Sequence, residues 1–168
     1  KWPGVTVGAN ENTMGLRGSD TPRIMFNDVK VPKANRIGED GFGFTFAMKT
    51  LAGGRIGIAA QALGIASGAF ELAVNYSKQR KAFGKEIMHH QAIQFKLADM
   101  ATRIEAARLL CLKAAWEKDQ GMDYTLSSSM AKVFASETAM WVSTEAVQIH
   151  GGYGYVKEFH VERLMRDA

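Results

Sequence analysis

At 168 residues, with 46% hydrophobic and 23% charged side chains, the chain can bury a core and reads as a globular protein rather than a disordered one. Its formal charge of +4 would suit an anionic small molecule as easily as a nucleic acid, and neither a basic run nor a nucleic-acid motif points to the second. A single cysteine, Cys111, excludes an internal disulfide framework. No stretch reads as a membrane span: the nearest, 56–70, is rich in Ala and Gly and is interrupted by Gln61 and Ser67. The sequence opens on Lys1, in what reads as mid-strand, so the chain is expected to be a fragment of a longer protein.

Residues 1–40 form the first region. Val5-Thr6-Val7, Arg23-Ile24-Met25-Phe26 and Val29-Lys30-Val31 read as short strands separated by Gly, Asn, Asp and Pro. Two or three short strands are marginal alone, so they are expected to close a β domain begun upstream. The turn Gly38-Glu39-Asp40-Gly41 ends that region.

Everything from 41 to 168 is expected to be helical. The first helix, 42–79, carries an apolar stripe through Met48, Leu51, Ile58, Ala62, Ile65, Ala69, Leu72 and Tyr76. A second row beside it runs through Ala52, Ile56, Ala59, Leu63, Ala66, Phe70 and Ala73, so a wide arc should be buried. The second helix, 91–120, repeats the pattern with Ile93, Leu97, Met100, Ile104, Ala107, Cys111 and Ala114. The third, 124–150, is less regular, with Met130, Val133, Phe134, Met140, Trp141 and Val147 as anchors and Ser127-Ser128-Ser129 as a solvated face. A short fourth helix covers 161–167. Helices near thirty residues are about 45 Å long, and short connections make neighbours antiparallel. The fold class is mainly α, an up-and-down bundle after an incomplete β region.

Two breaks between helices gather ligand-type residues. In Arg80-Lys81-Ala82-Phe83-Gly84 the cations offer charge and a donor fork for phosphate, and Gly84 permits an unusual backbone angle. A basic helix end followed by a turn explains those residues but not the apolar ring of Phe83. Gln91 opens the next helix, whose free N–H groups attract anions. In Gln148-Ile149-His150-Gly151-Gly152-Tyr153-Gly154, a C-cap explains the first two glycines, whereas Gly154 suggests close approach of backbone to a ligand. Arg55 sits on the apolar stripe of the first helix and needs either an anionic ligand or a structural ion pair. Gly53-Gly54 before it calls for tight packing or room for a ligand. No metal-ligand spacing occurs, Cys111 reads as core, and no carboxylate stands out as a buried base.

Taken together, Gly15-Leu16-Arg17-Gly18-Ser19, Val29-Lys30-Val31-Pro32, Gly54-Arg55-Ile56-Gly57-Ile58-Ala59, Arg80-Lys81-Ala82-Phe83-Gly84, His90-Gln91-Ala92-Ile93-Gln94, Gln148-Ile149 with Gly151-Gly152 and Gly154, and Arg163-x-x-Arg166-Asp167-Ala168 resemble the acyl-CoA dehydrogenase family, most of all its short-chain (butyryl-CoA) members. The resemblance implies the end of a middle β-barrel-like domain in 1–40, then most of a C-terminal antiparallel four-helix bundle in 41–168. It implies FAD, contacted by Arg80, Phe83 and Gln91 and lined on its other side by Gln148, Gly151 and Gly152, at a site shared between subunits of a homotetramer. Arg55 would lie beside the acyl-CoA pocket near the thioester. An electron-transfer flavoprotein would take the electrons, in the bacterial cytoplasm or the mitochondrial matrix.

The family's base is a glutamate shortly beyond the Arg-Asp-Ala motif or, in some branched-chain members, at the position of Gly54. Neither lies in this chain, which on that reading is inactive alone. An acyl-CoA oxidase or flavin monooxygenase-like relative, or a helical oligomerisation module without flavin, are the alternatives.

Overall fold

The computed structural model describes residues 2–168 and divides into two compact units, one ending at Lys49 and the other Thr50–Ala168. In the first unit, β1 (Val5–Asn10) pairs antiparallel with β2 (Pro22–Phe26) in the register Val5↔Phe26, Thr6↔Met25 and Val7↔Ile24, with an irregularity before Asn10↔Pro22. The expected third strand at 29–31 does not form. Asn27 N–H closes on the Gly4 carbonyl at 2.9 Å, and Asp28 then takes a left-handed φ of +48°, which turns the chain off the ladder. Val7, Ile24 and Phe26 are left exposed.

Three long helices follow: α1 (Gly43–Gln79), α2 (Gln91–Asp119) and α3 (Thr125–His150), with the short α4 (Val161–Asp167) after them. A two-residue hairpin, β3 (Lys81–Ala82) and β4 (Lys85–Glu86), joins α1 to α2, and a 3₁₀ turn Gly151–Tyr155 follows α3. The pairs Lys96–Glu145 and Arg103–Trp141 (guanidinium 4.3 Å from the ring centroid) run in opposite chain directions, so α2 and α3 are antiparallel.

The core is built mainly from alanine. Ala59, Ala62, Ala66, Ala69 and Ala73 of α1 join Met100, Ile104, Ala107, Cys111 and Ala114 of α2 and Ala131, Ala135, Ala139, Val142 and Ala146 of α3 in one buried cluster. The α2 stripe agrees with the expectation from sequence. On α1 the alanines of both rows are the buried positions, and Met48, Leu51 and Ile58 of the first row are exposed. On α3 the alanines are again inside, while Met130, Val133 and Met140 are exposed. Helix axes must come within about 8–10 Å to pack, and the shortest side chains permit the closest approach.

The same rule overturns the reading of the serine run. Ser127 and Ser128 are buried, and the Ser128 hydroxyl donates to the Thr125 carbonyl at 3.0 Å, so it can sit in a tight interface without an unmet donor. By length and composition α1 passes as a possible membrane-crossing helix, contrary to the expectation of no such stretch. About a quarter of that apolar stretch (28%) is buried, chiefly its alanines.

Candidate functional site

The chain leaves α1 through a helical hydrogen bond from Arg80 N–H to the Tyr76 carbonyl at 2.9 Å. Ile87 N–H then donates to the Arg80 carbonyl, also at 2.9 Å, closing the hairpin. At the hairpin tip Phe83 has φ +54° and Gly84 φ +82°, the two positive values that a two-residue hairpin loop of the right twist requires. Glycine adopts this freely, but phenylalanine does so under strain. Phe83 is 95% exposed, and its ring stands perpendicular to that of His90 with the centroids 6.0 Å apart. His90 in turn reaches the Ala82 carbonyl through Nε2 at 3.1 Å, tying the hairpin to the start of α2 beside exposed Gln91.

The end of α3 arrives from the other side. Gly151 has φ +58°, and a methyl group placed on Gly151 or Gly152 would meet nothing within 4 Å, so this backbone is open to approach. Gly154 is different. A Cβ there would lie 2.4 Å from the Val147 carbonyl oxygen, so this buried glycine is required by packing against α3. That corrects its expected role as a ligand-facing position.

Between these two ends lies a cavity of about 600 Å³. Arg80, Gly151 and Gly152 line it, and its walls include the rings of Tyr76, His150, Tyr153 and Phe159. Arg80 is exposed and makes no ion pair with a carboxylate among the described residues. Its guanidinium lies 5.7 Å from the centre of the Tyr153 ring. The positive charge therefore remains available to an anion.

His150 is buried, stacked on Tyr76 at 4.3 Å, with Nδ1 2.8 Å from the Ala146 carbonyl. Nδ1 therefore carries the proton in the neutral ring. Burial lowers its pKa, against a smaller upward pull from the Ala146 carbonyl. The sequence singled out none of these rings except the tyrosines beside the glycines. No local signal marked the others: Tyr76 lies in the last turn of α1 and His150 ends α3, both at ordinary helical spacing.

The structure thus brings Arg80, Gly151 and Gly152 together. Phe83, Gln91 and Gln148 are exposed and do not line the cavity. Arg55 lies elsewhere on α1, half-buried, with no ion pair or hydrogen bond among the described residues. Its neighbour Gly54 has nothing within 4 Å of a would-be Cβ, so no tight backbone contact in this chain accounts for it.

Three carboxylates on the helices are largely buried. Glu145 is paired with Lys96, and Glu162 is held by Arg166 at 2.7 Å, which lowers its pKa. Glu117 has one oxygen 3.7 Å from Lys113 Nζ and the other buried without a hydrogen-bond partner. None of the three lines the cavity. Among the described residues no group of His, Cys, Asp and Glu could hold a metal ion.

Residues 41–168 match the family model described as acyl-CoA dehydrogenase, C-terminal domain. The chain is 57% identical to a short-chain-specific acyl-CoA dehydrogenase of Megasphaera elsdenii, over 99% of its own length and 43% of the relative's. It is 53% identical to the caffeyl-CoA reductase-Etf complex subunit CarC of Acetobacterium woodii, over 100% of its own length and 44% of the relative's. The solved structure of butyryl-CoA dehydrogenase from Megasphaera elsdenii superposes with a TM-score of 0.97 at 56% identity, covering 98% of this chain and 43% of that one. The chain therefore spans less than half the length of these relatives.

Proposed function

The chain belongs to the acyl-CoA dehydrogenase family, and on that premise we propose that it is the C-terminal part of an FAD-dependent enzyme that dehydrogenates a short-chain acyl-CoA between its α and β carbons. The observation that carries this reading is the meeting of an unneutralised guanidinium, Arg80, with two side-chain-free positions, Gly151 and Gly152, around one ring-walled cavity. Those features fit a ring-bearing polyanion. Arg80 supplies charge-assisted hydrogen bonds to a diphosphate, and the bare backbone lets a planar or phosphorylated group come close. When bound, FAD would supply the hydride acceptor.

Phe83, Gln91 and Gln148, all exposed, would meet the cofactor at a contact between subunits. A strained, solvated Phe83 at a hairpin tip supports that placement, because an apolar ring gains by burial only when another surface covers it. Exposed Leu126, Met130, Val133 and Met140 recur at intervals of three, four and seven along α3, which supports assembly into a homo-oligomer, a tetramer by family resemblance. Arg55, unpaired on α1, would face the thioester end of an acyl-CoA. The base glutamate would lie outside residues 1–168, since Gly54 occupies the alternative position. Residues 1–40 would complete the family's β domain. An electron-transfer flavoprotein is the proposed redox partner, a reading supported by the Etf complex named for the Acetobacterium woodii relative. That relative is named a reductase, so the same bond chemistry in the opposite direction is the second reading.

The test is made on the full-length protein. Purified enzyme should carry a flavin absorbance and oxidise butyryl-CoA with an artificial electron acceptor, and R80M should weaken FAD binding at least about tenfold, in line with loss of a hydrogen-bonded charge. A full-length protein that neither binds FAD nor turns over any acyl- or enoyl-CoA would overturn the proposal.

A further inference from the structure

We propose that Tyr153 is a positioning residue for the cofactor site: it holds the Arg80 guanidinium over its ring, so that the cation is oriented without being neutralised. The inference rests on the reading of Arg80 as an FAD contact. A long, exposed arginine at a helix end samples many rotamers, and fixing it for an anion costs entropy at the moment of binding. A carboxylate would fix it but would cancel the charge. Glu158 lines the same cavity and forms no ion pair with Arg80; the guanidinium sits 5.7 Å from the Tyr153 ring centre instead, within the range of a cation–π contact.

The ring is itself fixed. Tyr153 packs on Phe159 at 5.1 Å, Phe159 meets Tyr76 and His150 edge-on at 6.1 Å each, and Tyr76 stacks on His150 at 4.3 Å. The next residue, Gly154, is pressed against the Val147 backbone, which sets where the turn carrying Tyr153 can lie. The chain of rings thus runs from the interior contact of α1 and α3 out to the cation.

The experiment is a double-mutant cycle in the full-length protein, with FAD affinity of the apoprotein read by flavin fluorescence. Y153L should weaken FAD binding about two- to fivefold, the worth of an exposed cation–π contact. Y153F, which keeps the ring, should bind as wild type. In an R80M background, Y153L should have no further effect. Equal losses from Y153L with and without Arg80 would overturn the proposal, since Tyr153 would then act directly or through the fold alone. A loss in R80M with none in Y153L would overturn it while sparing the site. An R80M protein that binds FAD normally would remove both.

Discussion

The middle of the bundle and its cavity end are built from opposite materials. Along the middle, alanines of all three long helices face inward, with Met100 as the largest fully buried side chain. At the end, Tyr76, His150, Tyr153 and Phe159 stack and tilt against one another around open space. Small side chains draw helices together, and large rings near the helix ends keep an adjoining space from collapsing. The difference shows how one fold can be closely packed along its middle and open at one end.

Substitutions can break or sharpen that contrast. The largest effect is expected in the middle: M100A should destabilise the protein by about 3 kcal/mol, the cost of a cavity in a core that cannot relax, read as a lower urea midpoint. A loss well under that would mean the alanine core is looser than its burial suggests. At the end, G154A should cost about 2 kcal/mol through overpacking against the Val147 carbonyl, measured in the same way. If it were neutral, Gly154 would not fix the turn.

A smaller effect concerns pH. Because burial lowers the His150 pKa, the unfolded chain takes up the proton first as pH falls past its ordinary value of 6.5. Stability contributed by the neutral ring is therefore full above 6.5 and is lost progressively below it, until the folded protein also protonates. Thermal melts of wild type should fall over that window, and H150F should lack that component.

The smallest change has the opposite sign. F83G should raise stability by about 0.5 kcal/mol, since a left-handed residue costs about 1–2 kcal/mol and glycine returns part of that gain as chain entropy. The same variant should bind FAD more weakly. A stabilised protein with unchanged FAD affinity would mean that the strain at Phe83 serves something other than the cofactor.

The helices could be read from the sequence nearly to the residue. The α2 stripe from Ile93 to Ala114 repeats with helical period, and the two glycine-bearing breaks bound the long helices. Arg80, Gly151 and Gly152 were legible as candidates through the family motifs, since taken alone a basic helix end with a turn and a C-cap explain all three. Their convergence on one cavity was not legible, since it depends on where α1 and α3 end relative to each other. Tyr76, His150 and Phe159 carried no local signal, because an aromatic at helical spacing reads first as core. The serine run and Gly154 were misread for a related reason: composition does not say which face of a helix meets a neighbour.

Periodicity and punctuation in the sequence by themselves determined the number, bounds and order of the helices, and the family motifs that ride on them. Tertiary structure alone decided which residues of the two apolar rows on α1 are inside, that Val29-Lys30-Val31 stays unpaired, that Phe83 takes a left-handed backbone, and that Tyr153 rather than a carboxylate meets Arg80. Local pattern sets what a segment can bury. How closely other segments approach it sets what it does bury.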